Sequence, residues 1–260
     1  FAFADVRKNH AKSPYKDWFT IKAWDNPESE ENEFDYEGWW GVKSLPEFKE
    51  DENGLVQGPR EYVFAATNRW MNPMGKGPAF GIDGWRLDVA FCVNHQFWKD
   101  WRIHVKSINP EAYINAELVS PMEETLPYLS GDEFDAEMNY NWAFTCTEFF
   151  INPAGQHKLS PSGFEKELKR MREFFPDPRT AYRMQNLFGS HDVNRIGSHI
   201  VNRGGVNFRN WGDYFGFSKA ADNPNYQVRK PNELELEIQK LFVAFQFTYV
   251  GAPMIYYGDE

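Results

Sequence analysis

The chain has 260 residues, 42% of them hydrophobic and 17% aromatic, which is ample material for a packed core in one large domain or two small ones and argues against disorder. Its formal net charge of −10 comes with no basic stripe that could track a phosphate backbone, so no nucleic acid is expected as a partner. No apolar run reaches 18 residues, so no membrane partner is expected either, and Cys92 and Cys146 lack the C-x-x-C spacing of a zinc site.

Residues 1–58 show no sustained periodicity. They carry turn signals at Ser13-Pro14, Asn26-Pro27 and Asn53-Gly54, an acidic run from Glu28 to Glu33, and the aromatic patch YEGWWGVKSLPEF. An irregular, aromatic-rich segment is expected there. From about Arg60 the pattern changes to alternation of helix and strand. A helix is predicted over 60–72, then a strand over 81–88 within GIDGWRLDVA, where Ile82, Trp85 and Leu87 favour extended chain. Trp98, Trp101, Val105 and Ile108 recur at spacings of three and four, marking a helix that Asn109-Pro110 stops. Strands are predicted over 112–118 (AYINAEL) and 134–140 (FDAEMNY). Phe164, Leu168, Met171 and Phe175 mark the next helix, closed by Pro176, and NLFGSHD over 186–192 is the next strand. A long loop is expected from there to Pro231. Asn232 followed by Glu235 spells an N-cap with a capping box, opening a helix whose apolar face holds Leu234, Ile238, Leu241, Phe242 and Phe245; a last strand is predicted over APMIYYGDE.

Strands separated by helices imply a parallel sheet, because parallel neighbours need crossover connections. Polar residues gather at the C-terminal end of each predicted strand: Arg86 and Asp88, Glu117, Asn139, His191 and Asp192, Asp259 and Glu260. In a (β/α)₈ barrel that end is the catalytic face. Arg86 and Asp88, two apart on a strand, point to one side and could be a structural ion pair; Glu117 and Asp192 at two further strand ends favour a site. Carboxylates gathered together have their proton affinities driven apart, which is costly without a function. Two carboxyls of different proton affinity are what glycosidic hydrolysis requires, one ionised to attack and one protonated to donate to the leaving oxygen.

The stretches GIDGWRLDVA, INAEL, FGSHDVNR and GAPMIYYGDE resemble, in order, four motifs of the alpha-amylase superfamily, glycoside hydrolase family 13. SPYKDWF and YEGWWGVKSLPE are similar to the loop domain that follows the third barrel strand in its neopullulanase and cyclomaltodextrinase branch. The resemblance implies an α/β fold, a partial (β/α)₈ TIM barrel comprising roughly strands four to eight (59–260), preceded by a loop domain (1–58). It implies Asp88 as nucleophile, Glu117 as general acid and then base, and Asp192 as the carboxylate that holds sugar hydroxyls. Arg86 would keep Asp88 ionised and His191 would hydrogen-bond the sugar. His95, after Asn94, stands where the branch often has a substrate-side histidine, or simply in the first turn of a helix. Arg195 contacts substrate or pairs with a carboxylate, and Tyr256 and Tyr257 are expected to pack the last strand.

The implied activity is retaining hydrolysis of α-1,4 bonds in maltooligosaccharides, cyclodextrins or pullulan, the partner being an α-glucan oligosaccharide. Glycosyl transfer by the same residues, or an inactive fragment, are the alternatives. An amylase-like binding subunit would be expected to lose the acids that this chain keeps. No cofactor or metal is expected, with calcium, oligomeric state and compartment left open. The family's first motif, D-x-x-x-N-H, is missing, so the chain is expected to be part of a longer catalytic domain. Cys92 stands where many members of the branch carry glutamate, and is expected to be a small apolar filler.

Overall fold

The computed structural model describes residues 1–153, 157–204, 206–207 and 209–259. The chain divides into two compact units, 1–114 and 115–260.

The first unit opens with helix α1, Ala2–Asn9, where the sequence suggested only irregular chain. Its Phe3 ring packs at 5.0 Å from Phe19 and 4.5 Å from Tyr36, so aromatic contact rather than regular structure organises this segment. Two short antiparallel pairs follow, β1 (Ile21–Ala23) with β2 (Asp35–Tyr36) and β3 (Glu50–Asp51) with β4 (Gly54–Leu55). Helix α2, Gln57–Met71, and helix α3, His95–Ile108, are tied by the Trp101 indole donating to the Thr67 hydroxyl at 2.9 Å and by Arg60 paired to Asp100 at 2.6 Å. Asn94 caps α3, its side chain accepting from the Gln96 N–H, as the break before a 3.6-residue apolar period suggests. Strand β5, Gly84–Leu87, begins beside Tyr113, whose N–H donates to the Asp83 carbonyl at 3.0 Å. Only glycine fits at Gly84, because a Cβ there would meet the Tyr113 carbonyl oxygen at 2.2 Å.

The boundary between the units falls within strand β6, Tyr113–Ala116. In the second unit its last residues run parallel to β7, Ala136–Glu137, in the register Asn115 to Ala136 and Ala116 to Glu137. A parallel bridge from Met138 to Gln185 links β7 to β8, Gln185–Leu187, which pairs parallel with β9, Ala252–Met254. These strands follow one another in chain order, as helix-separated strands should. Short helices α4 (Met122–Thr125), α5 (Tyr140–Cys146) and α7 (Thr180–Arg183) and the longer α6 (Pro161–Glu173) and α10 (Glu233–Thr248) make the connections. Phe188 stacks on Phe242 at 3.7 Å and on Trp142 at 4.6 Å, so these aromatics belong to the core of the unit.

Three expectations are corrected. The strand predicted over 134–140 is short because the Asn139 side chain accepts from the Trp142 N–H at 3.1 Å and so starts α5. The strands over 186–192 and at the chain's end give way to turns after Leu187 and Met254. The expected long loop holds two helices, α8 (Ile196–Val201) and α9 (Trp211–Ser218), whose few turns lacked a readable apolar period.

Candidate active site

In the first unit the alternation of β5 brings Arg86 and Asp88 to one side, and Arg86 Nη1 donates to Asp88 Oδ1. Asp88 keeps 63% of its side-chain surface exposed and Arg86 31%, so the carboxylate faces open space while the guanidinium is partly enclosed. The next residue, Val89, has φ 44° and ψ 48°, a left-handed conformation that ends the strand. Asp88 also lines a cavity of about 490 Å³ whose walls include Trp39, Phe48, Trp85, Trp98 and Trp101. Glu47 and Glu50 border it, both carboxyls pushed up by burial, and Glu50 accepts the Asn94 N–H at 3.2 Å. Cys92 lines the same cavity, its thiol pushed up by burial first and then by Glu47 and Glu50, which makes it a poor nucleophile. His95 is the first residue of α3 and is exposed.

The second unit holds the other acids. Glu117 directly follows β6 and is 7% exposed. Beyond β8, Asp192 Oδ2 lies 3.3 Å from His191 Nε2, and its N–H donates to the buried Ser190 hydroxyl at 3.1 Å. The chain that leaves this turn is anchored at two places. Asn194 donates its N–H to the Tyr214 hydroxyl at 2.6 Å and its amide to the Tyr226 hydroxyl at 2.7 Å, while the Ile196 N–H donates to Asp259 Oδ1 at 3.0 Å. Gly189 leaves room for Asp259, since a Cβ there would meet Asp259 Oδ2 at 1.9 Å and the carboxylate would have to shift. His199 lies 3.1 Å from the Tyr214 hydroxyl; burial pushes the imidazole down to about 4 and the phenol up to about 12, so both stay neutral near pH 7.

The structure thus brings together Arg86 with Asp88 in one unit and His191 with Asp192 in the other. Arg195 lies over the Tyr256 and Tyr257 rings, 3.9 and 4.0 Å from their centroids, an arrangement that the sequence reading did not offer. Two other polar strand ends serve the framework: Asn139 caps α5 and donates to Asn186 at 3.0 Å, and buried Asp259 braces the turn after β8. Glu260 lies outside the described residues. Sequence reasoning missed Glu137, a 1% exposed carboxyl in β7 that burial drives up to about 8; its one signal was an acid flanked by Ala136 and Met138 in the predicted strand FDAEMNY. Among the described residues no three His, Cys, Asp or Glu are grouped to hold a metal ion.

A parallel α/β chain with acids after successive strands is the class of protein that fold and site define. Residues 1–211 match the family model described as alpha amylase, catalytic domain, and the chain belongs to the alpha-amylase family. It is 35% identical over 261 residues to neopullulanase 2 of Thermoactinomyces vulgaris, covering 100% of this chain and 36% of that protein. It is 33% identical to a cyclomaltodextrinase of Geobacillus thermopakistaniensis (strain MAS1), covering 99% of this chain and 35% of that one. Among solved structures it resembles the cyclic alpha-maltosyl-(1→6)-maltose hydrolase of Arthrobacter globiformis in complex with maltose, at 28% identity and a TM-score of 0.70, covering 100% of this chain and 47% of that one. The chain therefore spans about a third of the length of the curated relatives it matches.

Proposed function

We propose that the intact protein is a retaining α-glucan hydrolase that cleaves α-1,4-glucosidic bonds in maltooligosaccharides, cyclodextrins or pullulan. The observation that carries this reading is the set of acids after parallel strands, Asp88 beside Arg86, Glu117 enclosed, and Asp192 beside His191, in a chain of the alpha-amylase family. Asp88, hydrogen-bonded by the Arg86 guanidinium and open on its other side, is suited to attack the anomeric carbon. The leaving oxygen takes a proton from Glu117, which then deprotonates the water that opens the glycosyl-enzyme. Asp192 and His191 hold ring hydroxyls. The relatives' names, neopullulanase and cyclomaltodextrinase, support small or cyclic glucans as substrates.

The same reading places residues 59–260 in the later part of a (β/α)₈ barrel and 1–58 in its loop domain. It is supported by the parallel strands of the second unit, which pair in chain order.

Changing the leaving group tests the roles. In the intact protein Glu117→Gln should lose on the order of 10²–10⁴ in rate on a maltooligosaccharide, the usual worth of positioned proton transfer. With fluoride as leaving group, which needs little protonation, the first step should be largely spared. Asp88→Asn should abolish both reactions, and the first product seen by NMR should be the α-anomer. Equal loss of both reactions in Glu117→Gln, or a β-anomeric first product, would overturn the assignment.

A further inference from the structure

We infer that Val89 is a positioning residue, its left-handed backbone aiming Asp88. A β-branched residue rarely enters this region, because its Cβ crowds the neighbouring carbonyl. Such a residue persists only where surrounding structure over-determines it, and such places cluster at functional sites. Val89 has φ 44° and ψ 48° and directly follows Asp88.

The surroundings supply the constraint. Leu87 is the last residue of β5, so the chain enters Asp88 extended. Beyond Val89, the Cys92 N–H donates to the Val89 carbonyl at 2.9 Å, closing a 3₁₀ turn over Ala90–Cys92. Ala90 is fully buried, and its carbonyl accepts the Trp98 indole N–H at 2.9 Å. Trp98 is itself held edge-on between Phe97 at 5.2 Å and Trp101 at 5.9 Å on α3. The chain after Asp88 is thus clamped to helix α3, and the left-handed Val89 is the residue that joins the strand to this clamp.

Asp88 itself has little to hold it. With 63% of its side chain exposed and Arg86 paired to one oxygen, packing does not fix its direction. What fixes it is backbone geometry on both sides, β before and left-handed after. A nucleophile displaced by even 1 Å reacts up to about 10²-fold more slowly, so strain at Val89 is a means of holding Asp88 in an attacking geometry.

This inference rests on Asp88 being the nucleophile, and its test separates the two claims. In the intact enzyme, Val89→Gly relieves the strain but lets the backbone sample both signs of φ. It should lower kcat by about tenfold with KM within about twofold, while the melting temperature is unchanged or raised. Val89→Asn, which enters the left-handed region more readily than valine, should recover most of the lost kcat. Wild-type kcat in Val89→Gly, a melting temperature lowered by several degrees, or equal loss of kcat in the glycine and asparagine variants would each overturn the proposal. Full activity in Asp88→Asn would instead overturn the nucleophile assignment.

Discussion

Glu137 is the residue at which folding and titration conflict most openly. Its carboxyl is 1% exposed, and neither oxygen has a hydrogen-bond partner among the described residues, the nearby Thr125 hydroxyl donating instead to the Met122 carbonyl at 3.1 Å. Burial raises it from 4.5 to about 8, so the folded chain keeps its proton where the unfolded chain has released it. Stability must therefore fall as pH rises from about 4.5 to about 8 and be level above that. At pH 7 the penalty is about 3 kcal/mol at 1.36 kcal/mol per unit. Glu137→Gln, neutral at every pH, should raise the melting temperature between pH 7 and 8 by several degrees and flatten its fall across that window, as followed by circular dichroism. An unchanged pH dependence would show that Glu137 ionises without penalty.

Among the elements, α10 is the one whose start was written most legibly in the chain. Asn232 Oδ1 accepts the Glu235 N–H at 3.0 Å, and Glu235 Oε2 accepts the Asn232 N–H at 2.8 Å, so both halves of the capping box form. Glu235 also binds Arg229 through both oxygens, at 2.7 and 2.8 Å, and Arg229 first and the Asn232 N–H second hold the carboxyl down to about 2. That stabilisation is present above the ordinary value of 4.5 and is lost as pH falls toward 2. Asn232→Ala should cost about 1 kcal/mol at neutral pH, measured by urea denaturation of the intact protein. Where polar strand-end residues cap helices instead, as Asn139 does for α5, the helix begins sooner than the strand pattern predicted.

For the whole molecule, apolar surface left without cover is the leading physical fact. Helix α10 leaves Leu234 at 65%, Leu241 at 58% and Phe247 at 54% exposure, outside the face that buries Glu235, Phe242 and Gln246, and the first unit holds the aromatic-walled cavity. Surface of this kind drives association in water. The 260-residue chain expressed alone is expected to bind a hydrophobic dye strongly and to aggregate or lack activity. A monodisperse, active product with a cooperative melt would count against the partial-barrel reading. No helix among the described residues is long and apolar enough to cross a membrane.

The sequence by itself determined the long helices α3 and α6 through an apolar face repeating every three to four residues, and α10 through its capping box, although Leu234 and Leu241 of the face read for α10 are exposed and Phe242 is the member of it that is fully buried. It also determined the parallel order of the strands and the acids that follow them, since side-chain type and spacing are local information. Only the tertiary structure decided where each strand stops, for that depends on which partner claims the next N–H: the Asn139 side chain at α5, or the Ser190 hydroxyl before Asp192. It alone set Arg195 on Tyr256 and Tyr257, residues some 60 positions away in the chain, and enclosed Glu137. The left-handed turn at Val89 is the clearest such case. Valine's own preference argues against it, and it stands next to Ala90, whose carbonyl the Trp98 indole, nine residues on from Val89 and held by its neighbours on α3, takes as its hydrogen-bond acceptor.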